Sequence, residues 1–174
     1  LYAGDIENVA SYRMPANAYL LESGIRLSGE DFVTQNITRP LNPNDAKIYI
    51  YAIQKWTQEH TRVKNSTLPE GIKTQKNETS FLDRFKVVNG EGKSHTIIAH
   101  LSKDGHYYIH PNIKYNRSIS VREAARIQSF PDNFYFEGSR SAMFKQIGNA
   151  VPPLMAKTIA TSIQDLIWQH KVIH

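Results

Sequence analysis

The chain has 174 residues, 40% hydrophobic and 10% aromatic, enough for one ordinary folded domain or a small domain with an appended segment. It contains no cysteine, which excludes a disulfide scaffold, a thiolate zinc site and a cysteine nucleophile within these residues, and which agrees with a reducing, cytoplasmic setting. A net charge of +5 suits an acidic partner, nucleic acid being the commonest, or else an ordinary basic surface; no apolar run is long enough to span a bilayer.

In chain order, residues 1–42 mix Gly, Ser, Asn and Pro with short apolar runs and read as loops with at most one strand. Asn42-Pro43-Asn44-Asp45 has the chemistry of a helix start, with a capping side chain and a proline where a missing N–H costs nothing. Tyr49, Ala52, Ile53 and Trp56 then recur at i, i+3, i+4, i+7 and predict a helix of roughly four turns, although Ile48 to Tyr51 also suits a strand. Residues 57–80 are polar and predict a surface loop. Two short strands are expected at 94–101 and 106–110, joined by a tight turn at Lys103-Asp104-Gly105. Ser120-Val121-Arg122-Glu123 is a capping box opening a helix that Pro131-Asp132 brings to an end. Gly148-Asn149-Ala150-Val151-Pro152-Pro153 leads into a last helix whose Leu154, Met155, Ile159, Ile163, Leu166 and Ile167 share one face with Val151.

Two segments carry more than periodicity. One runs from Arg117-Ser118-Ile119-Ser120-Val121-Arg122-Glu123-Ala124-Ala125-Arg126 to Pro131-Asp132; the other is Gln146-Ile147-Gly148-Asn149-Ala150-Val151-Pro152-Pro153. In this order and spacing they resemble motifs IX and X, the last two conserved blocks of the C5 cytosine-specific DNA methyltransferases. The stretch from Thr96 to Pro111 resembles what precedes motif IX. The resemblance implies enzymes that flip a cytosine out of duplex DNA, attack it with a cysteine thiolate and methylate it from S-adenosylmethionine. It implies an α+β fold here: a mostly β small target recognition domain over residues 1–132, including motif IX, then residues 133–174, whose C-terminal helix packs on a Rossmann-like catalytic domain absent from these residues. The first residue, Leu1, is not an initiator methionine, so an excerpt of a longer chain is expected. A separate specificity subunit paired with a catalytic chain, or a remnant that only binds DNA, are the rival readings. A restriction-modification setting is the family's commonest.

Glycine-rich cofactor loop, Pro-Cys loop and Gln-x-Arg-x-Arg block are missing, so no catalytic residue is assigned. Glu7-Asn8-Val9 matches the family's cytosine-holding tripeptide but is set aside, because no buried strand is expected before it and no arginine motif follows it. Gly148, Asn149 and Ala150 are expected to open a helix and to border the methionine carboxylate of S-adenosylmethionine in the complete enzyme, or else to serve only as a helix cap. No bound cofactor is expected on this chain alone. His100, Ser102, Lys103 and Gly105 resemble a recognition loop, with small residues for close backbone approach, Lys for phosphate and His or Ser for base edges; a plain hairpin turn is the alternative. Arg117, Arg122, Glu123 and Arg126 are expected to hold the recognition domain in shape rather than to touch DNA. Arg84, Lys86 and Lys93 read as solvated charges, with an addition to a basic face as the alternative. His95, His100, His106 and His110 invite a metal, but His106 and His110 on a strand would stand about 13 Å apart, so none is assigned. The expected partners are duplex DNA, the catalytic domain or subunit and a second copy of the chain; no membrane is expected.

Overall fold

The computed structural model describes residues 10–11, 16–29, 32–73 and 83–172. Two-residue strands β1 (Ala10–Ser11) and β2 (Phe32–Val33) pair antiparallel, with the short helix α1 (Ala18–Glu22) between them. Helix α2 covers Pro43–Glu59, α3 Val121–Ile127, α4 Arg140–Asn149 and α5 Pro153–Val172.

The α2 start behaves as its residues dictate. The Asn42 side chain accepts from the Asp45 N–H at 2.8 Å, Pro43 follows, and the helix closes at His60 in the left-handed conformation. Its buried face is Ile48, Tyr49, Ala52 and Ile53, packed on Val63, Phe85, Val87 and Ile109. The helix therefore wins over the strand alternative at 48–51. Burying Ile48 and Ile53 fully contributes roughly 1.5–3 kcal/mol each, more than helix propensity alone supplies over the same turns.

The expected strands at 94–101 and 106–110 are corrected. Ala99–Ser102 and Gly105–Tyr107 are 3-10 turns, and only Ile109 is bridged, to Val87 and to Ser118. Side chains replace the ladder: the Ile98 N–H donates to the Tyr108 hydroxyl, which itself donates to the Thr96 carbonyl. Asp104 accepts from the His106 N–H at 2.9 Å and so caps the second turn. Among the described residues, strand is confined to β1, β2 and three isolated bridges.

A second core gathers Leu101, Tyr108, Val121, Phe136, Phe144 and Ile147, with Ala124 and Ala125 of α3. It joins α3 and α4 and runs straight across position 132, the expected boundary. The chain leaves this core after Ala150 instead, and α5 projects with Met155, Ile159, Ile163, Leu166 and Ile167 each 46–58% exposed. The apolar stripe does not fold back on the small domain in this structure. Among the described residues, no helix is long and apolar enough to cross a membrane.

Candidate nucleic-acid interface

The segment Thr34–Arg39 is a seam on which the conserved-looking blocks converge. Its backbone accepts from α3, Val121 N–H to the Ile37 carbonyl at 2.9 Å and Arg122 N–H to the Gln35 carbonyl at 3.2 Å. Gln35, buried with φ 59°, donates to the Phe136 carbonyl and accepts from the Phe136 N–H. Arg39 donates to the Leu101 carbonyl while its guanidinium lies over the Phe144 ring. Sequence reading missed this seam.

The four motif residues take structural places. Arg122 is 1% exposed and donates to the Thr34, Pro131 and Phe134 carbonyls at 3.0, 3.1 and 2.8 Å. Arg117 grips Glu123 through two bonds of 2.7 and 2.8 Å, and Arg126 grips Asp132 through two of 2.7 Å. Glu123 also completes the capping box, accepting from Ser120 N–H while Ser120 Oγ accepts from Glu123 N–H. Burial pushes the Glu123 carboxyl up, but Arg117 and the Ser120 N–H outweigh it and hold it below the ordinary range.

The loop expected to read DNA divides in two. His100 and Lys103 are exposed, and Lys103 stands at the mouth of a cavity of about 400 Å³. Ser102 turns inward, its hydroxyl donating to the Ala99 carbonyl at 2.8 Å. Gly105 is buried: an added Cβ would stand 3.0 Å from Arg39 Cδ and 3.1 Å from Ser118, so its smallness serves packing and not an approach of backbone to DNA.

Arg39, Arg84, Asp45, Asp104, Tyr49 and His106 line the cavity behind Lys103. Arg84 pairs with Asp104 at 2.8 Å and is 16% exposed, and Lys86 reaches Asp83 at 3.0 Å and the Tyr107 ring, so neither is the solvated charge expected. The buried Nε atoms of Arg39 and Arg84 have no hydrogen-bond partner, which leaves donor capacity at the cavity. His106 Nδ1 lies 3.0 Å from the Tyr49 hydroxyl. Burial pushes His106 down and Tyr49 up, so both stay uncharged near neutrality; Asp104 is taken up by Arg84, and Arg39 and Lys103 stand against Asp45 as the remaining charges of the lining, a small positive excess. The histidines face apart: His95 Nε2 lies 2.6 Å from the Tyr107 carbonyl, His100 stands edge-on to the Tyr107 ring, and His110 lies near Glu123.

Residues 148–150 do not open a helix. They close α4, with Ala150 as its cap and its N–H donated to the Ile147 carbonyl, and α5 begins only at Pro153. As an anion-binding helix start for the carboxylate of S-adenosylmethionine the segment does not fit. Gly148 faces the backbone of Ile98 and Ala99, and of the three only Asn149 is exposed.

The chain matches the C-5 cytosine-specific DNA methylase family over residues 6–165. It belongs to that family. A type II methyltransferase of Bacillus paralicheniformis is 54% identical to it over 137 residues, covering 79% of this chain and 31% of the relative. The type II methyltransferase M.AgeI of Thalassovita gelatinovora is 41% identical over 98 residues, covering 56% of this chain and 22% of its own length. This chain thus spans less than a third of either relative. The family match opens before Glu7-Asn8-Val9, so it takes in the tripeptide set aside from sequence, which lies outside the described residues.

Proposed function

We propose that this chain is the C-terminal, DNA-recognising portion of a DNA (cytosine-5-)-methyltransferase of restriction-modification type. In the complete enzyme, a methyl group from S-adenosylmethionine passes to C5 of cytosine in duplex DNA, with the nucleophile supplied outside these residues. The observation that carries the reading is that the motif IX residues hold a frame, built on Arg122, on which the His100–Lys103 turn is displayed at the mouth of a cationic cavity. The assignment remains α+β: a recognition domain, and an α5 helix that meets a Rossmann-like catalytic domain. Asn149, exposed, is the group of its segment left to approach cofactor there.

Lys103 at the cavity mouth is positioned to neutralise a backbone phosphate, and His100 beside it to donate to a base edge. The chain alone should bind duplex DNA weakly, with dissociation constants of about 10⁻⁴ to 10⁻⁶ M, as phosphate contacts without full site recognition give. Lys103→Ala should weaken binding to all sequences alike and reduce the salt slope by about one, as read by fluorescence anisotropy across a salt series. Tight, salt-resistant binding to one sequence would show instead that this portion holds the whole enzyme's specificity. With no cysteine in the chain, the second expectation is silence in a methyl-transfer assay with labelled S-adenosylmethionine and mixed-sequence duplex. Label retained above a no-protein control, in a preparation freed of host methyltransferases, would contradict it.

A further inference from the structure

Helix α4 lies directly against the turn that carries His100, Ser102 and Lys103, and two contacts make that seating close. At Gly148, an added Cβ would fall 2.6 Å from Ala99 N and from the carbonyl carbon and oxygen of Ile98, backbone atoms that cannot swing aside. The Ile98 oxygen is also the acceptor of the Leu101 N–H at 3.0 Å, the first hydrogen bond of the 98–102 turn. One turn earlier on α4, the Phe144 ring carries the Arg39 guanidinium, which donates to the Leu101 carbonyl. The end of α4 is fixed from its other side, because Gln128 of the α3 cap donates to the Ile147 carbonyl at 3.1 Å.

We infer that α4 positions the DNA-contacting turn through Gly148 and Arg39, so that Gly148 is a positioning residue for recognition rather than a cofactor contact. This rests on the reading that the 100–103 turn meets DNA. A glycine in the last turn of a helix weakens that helix, and here the missing side chain has a use: it brings two backbones together with no side chain between them. Contact between backbones leaves no rotamer to relax, so a displacement of α4 is passed to the turn undiminished. In the complete enzyme, the segment that follows α4 runs towards the catalytic domain. The same contact therefore ties the placement of the turn to how that domain is docked.

The test uses the whole 174-residue chain and three variants, Gly148→Ala, Lys103→Ala and the double variant. Amide exchange by NMR reports the turn, at Leu101 and at Lys103, whose N–H donates to the His100 carbonyl; the Val121 and Ala124 amides of α3 report the frame. In Gly148→Ala the turn amides should exchange roughly tenfold faster or more while the α3 amides keep their protection. DNA affinity should fall, and Lys103→Ala should add little to that fall, because a displaced turn no longer presents the lysine. Unchanged exchange at Leu101, or a Lys103→Ala factor that adds in full on top of Gly148→Ala, would overturn the inference. A wild-type chain indifferent to Lys103→Ala would sink the DNA-contact reading instead, a failure distinct from the first. If Gly148→Ala does not fold, Arg39→Gln removes the second tie and should give the same exchange pattern and the same non-additivity; a silent Arg39→Gln would then count against α4 as the positioning element.

Discussion

Arg122→Ala should destabilise the chain by about 3–5 kcal/mol, through the loss of a buried side chain's packing and of its hydrogen bonds to backbone. Three backbone carbonyls, Thr34, Pro131 and Phe134, would lose a charged donor at once, and with them the tie between Thr34 and the 131–134 turn, segments far apart in sequence. An acceptor left unpaired away from water costs roughly 1–3 kcal/mol; the Pro131 carbonyl keeps the Phe134 N–H at 3.0 Å, so Thr34 and Phe134 carry that part of the loss and the packing of the buried Arg122 side chain the rest. For a chain of this length the loss corresponds to a fall in Tm of roughly 6–20 °C. Arg122→Lys keeps the charge but not the planar fork that spans Thr34 and the 131–134 turn; it should recover only part of the loss. Urea unfolding followed by circular dichroism measures both. An unfolding free energy for Arg122→Ala within about 1 kcal/mol of wild type would show that the frame does not depend on this residue.

The legible part of this frame was local. A capping box is written within four residues, and Ser120 with Glu123 forms it as its spacing requires. Likewise the Asn42 cap and the i, i+3, i+4, i+7 face of α2 appear where the pattern puts them, with Trp56 half-buried at its edge. What failed was whatever depended on partners far along the chain. Strands are expected at 94–101 and 106–110 around the turn residues Lys103-Asp104-Gly105, yet Tyr108 satisfies backbone groups with its hydroxyl and Asp104 caps a turn, so the ladder never forms. Gln35 and Arg39 sit in a stretch with no periodicity; their roles come from bonds to Phe136 and Leu101, 101 and 62 residues away. Motif resemblance drew attention to Gly148 as a cofactor-site residue; its contact with the Ile98 and Ala99 backbone is one that no reading of its own neighbours could supply. The 148–150 segment was misassigned for a related reason: Pro152 and Pro153 do open a helix, but a separate helix has just ended, so the free N–H groups lie past it.

Helix α5 should make the isolated chain self-associate, and Ile163→Asp should abolish that association. Met155, Ile159, Ile163, Leu166 and Ile167 are 46–58% exposed, and Trp168 beside them is 58% exposed. Soluble monomers seldom leave so many large apolar side chains contiguous in water; such faces are usually interfaces. At ~25 cal/mol per Å², burying several of these side chains between two copies is worth several kcal/mol, enough to offset part of the cost of association at high protein concentration. The predicted arrangement is a symmetric pair of α5 helices, because identical stripes meet most simply about a twofold axis. Multi-angle light scattering should give a mass rising from 19.9 kDa towards twice that value as concentration increases. Ile163→Asp places a carboxylate at the centre of the stripe, where pairing would bury it without a counter-charge, so the variant should stay at the monomer mass throughout. Its Tm at low concentration should match wild type, since Ile163 contributes nothing to the two cores. Adding the separately expressed catalytic portion should compete for the same stripe and dissolve the wild-type pair. A wild-type chain that remains monomeric at every concentration, and that does not bind the catalytic portion, would mean that the stripe seeks no partner; the assignment of α5 to a second domain would then lose its physical basis.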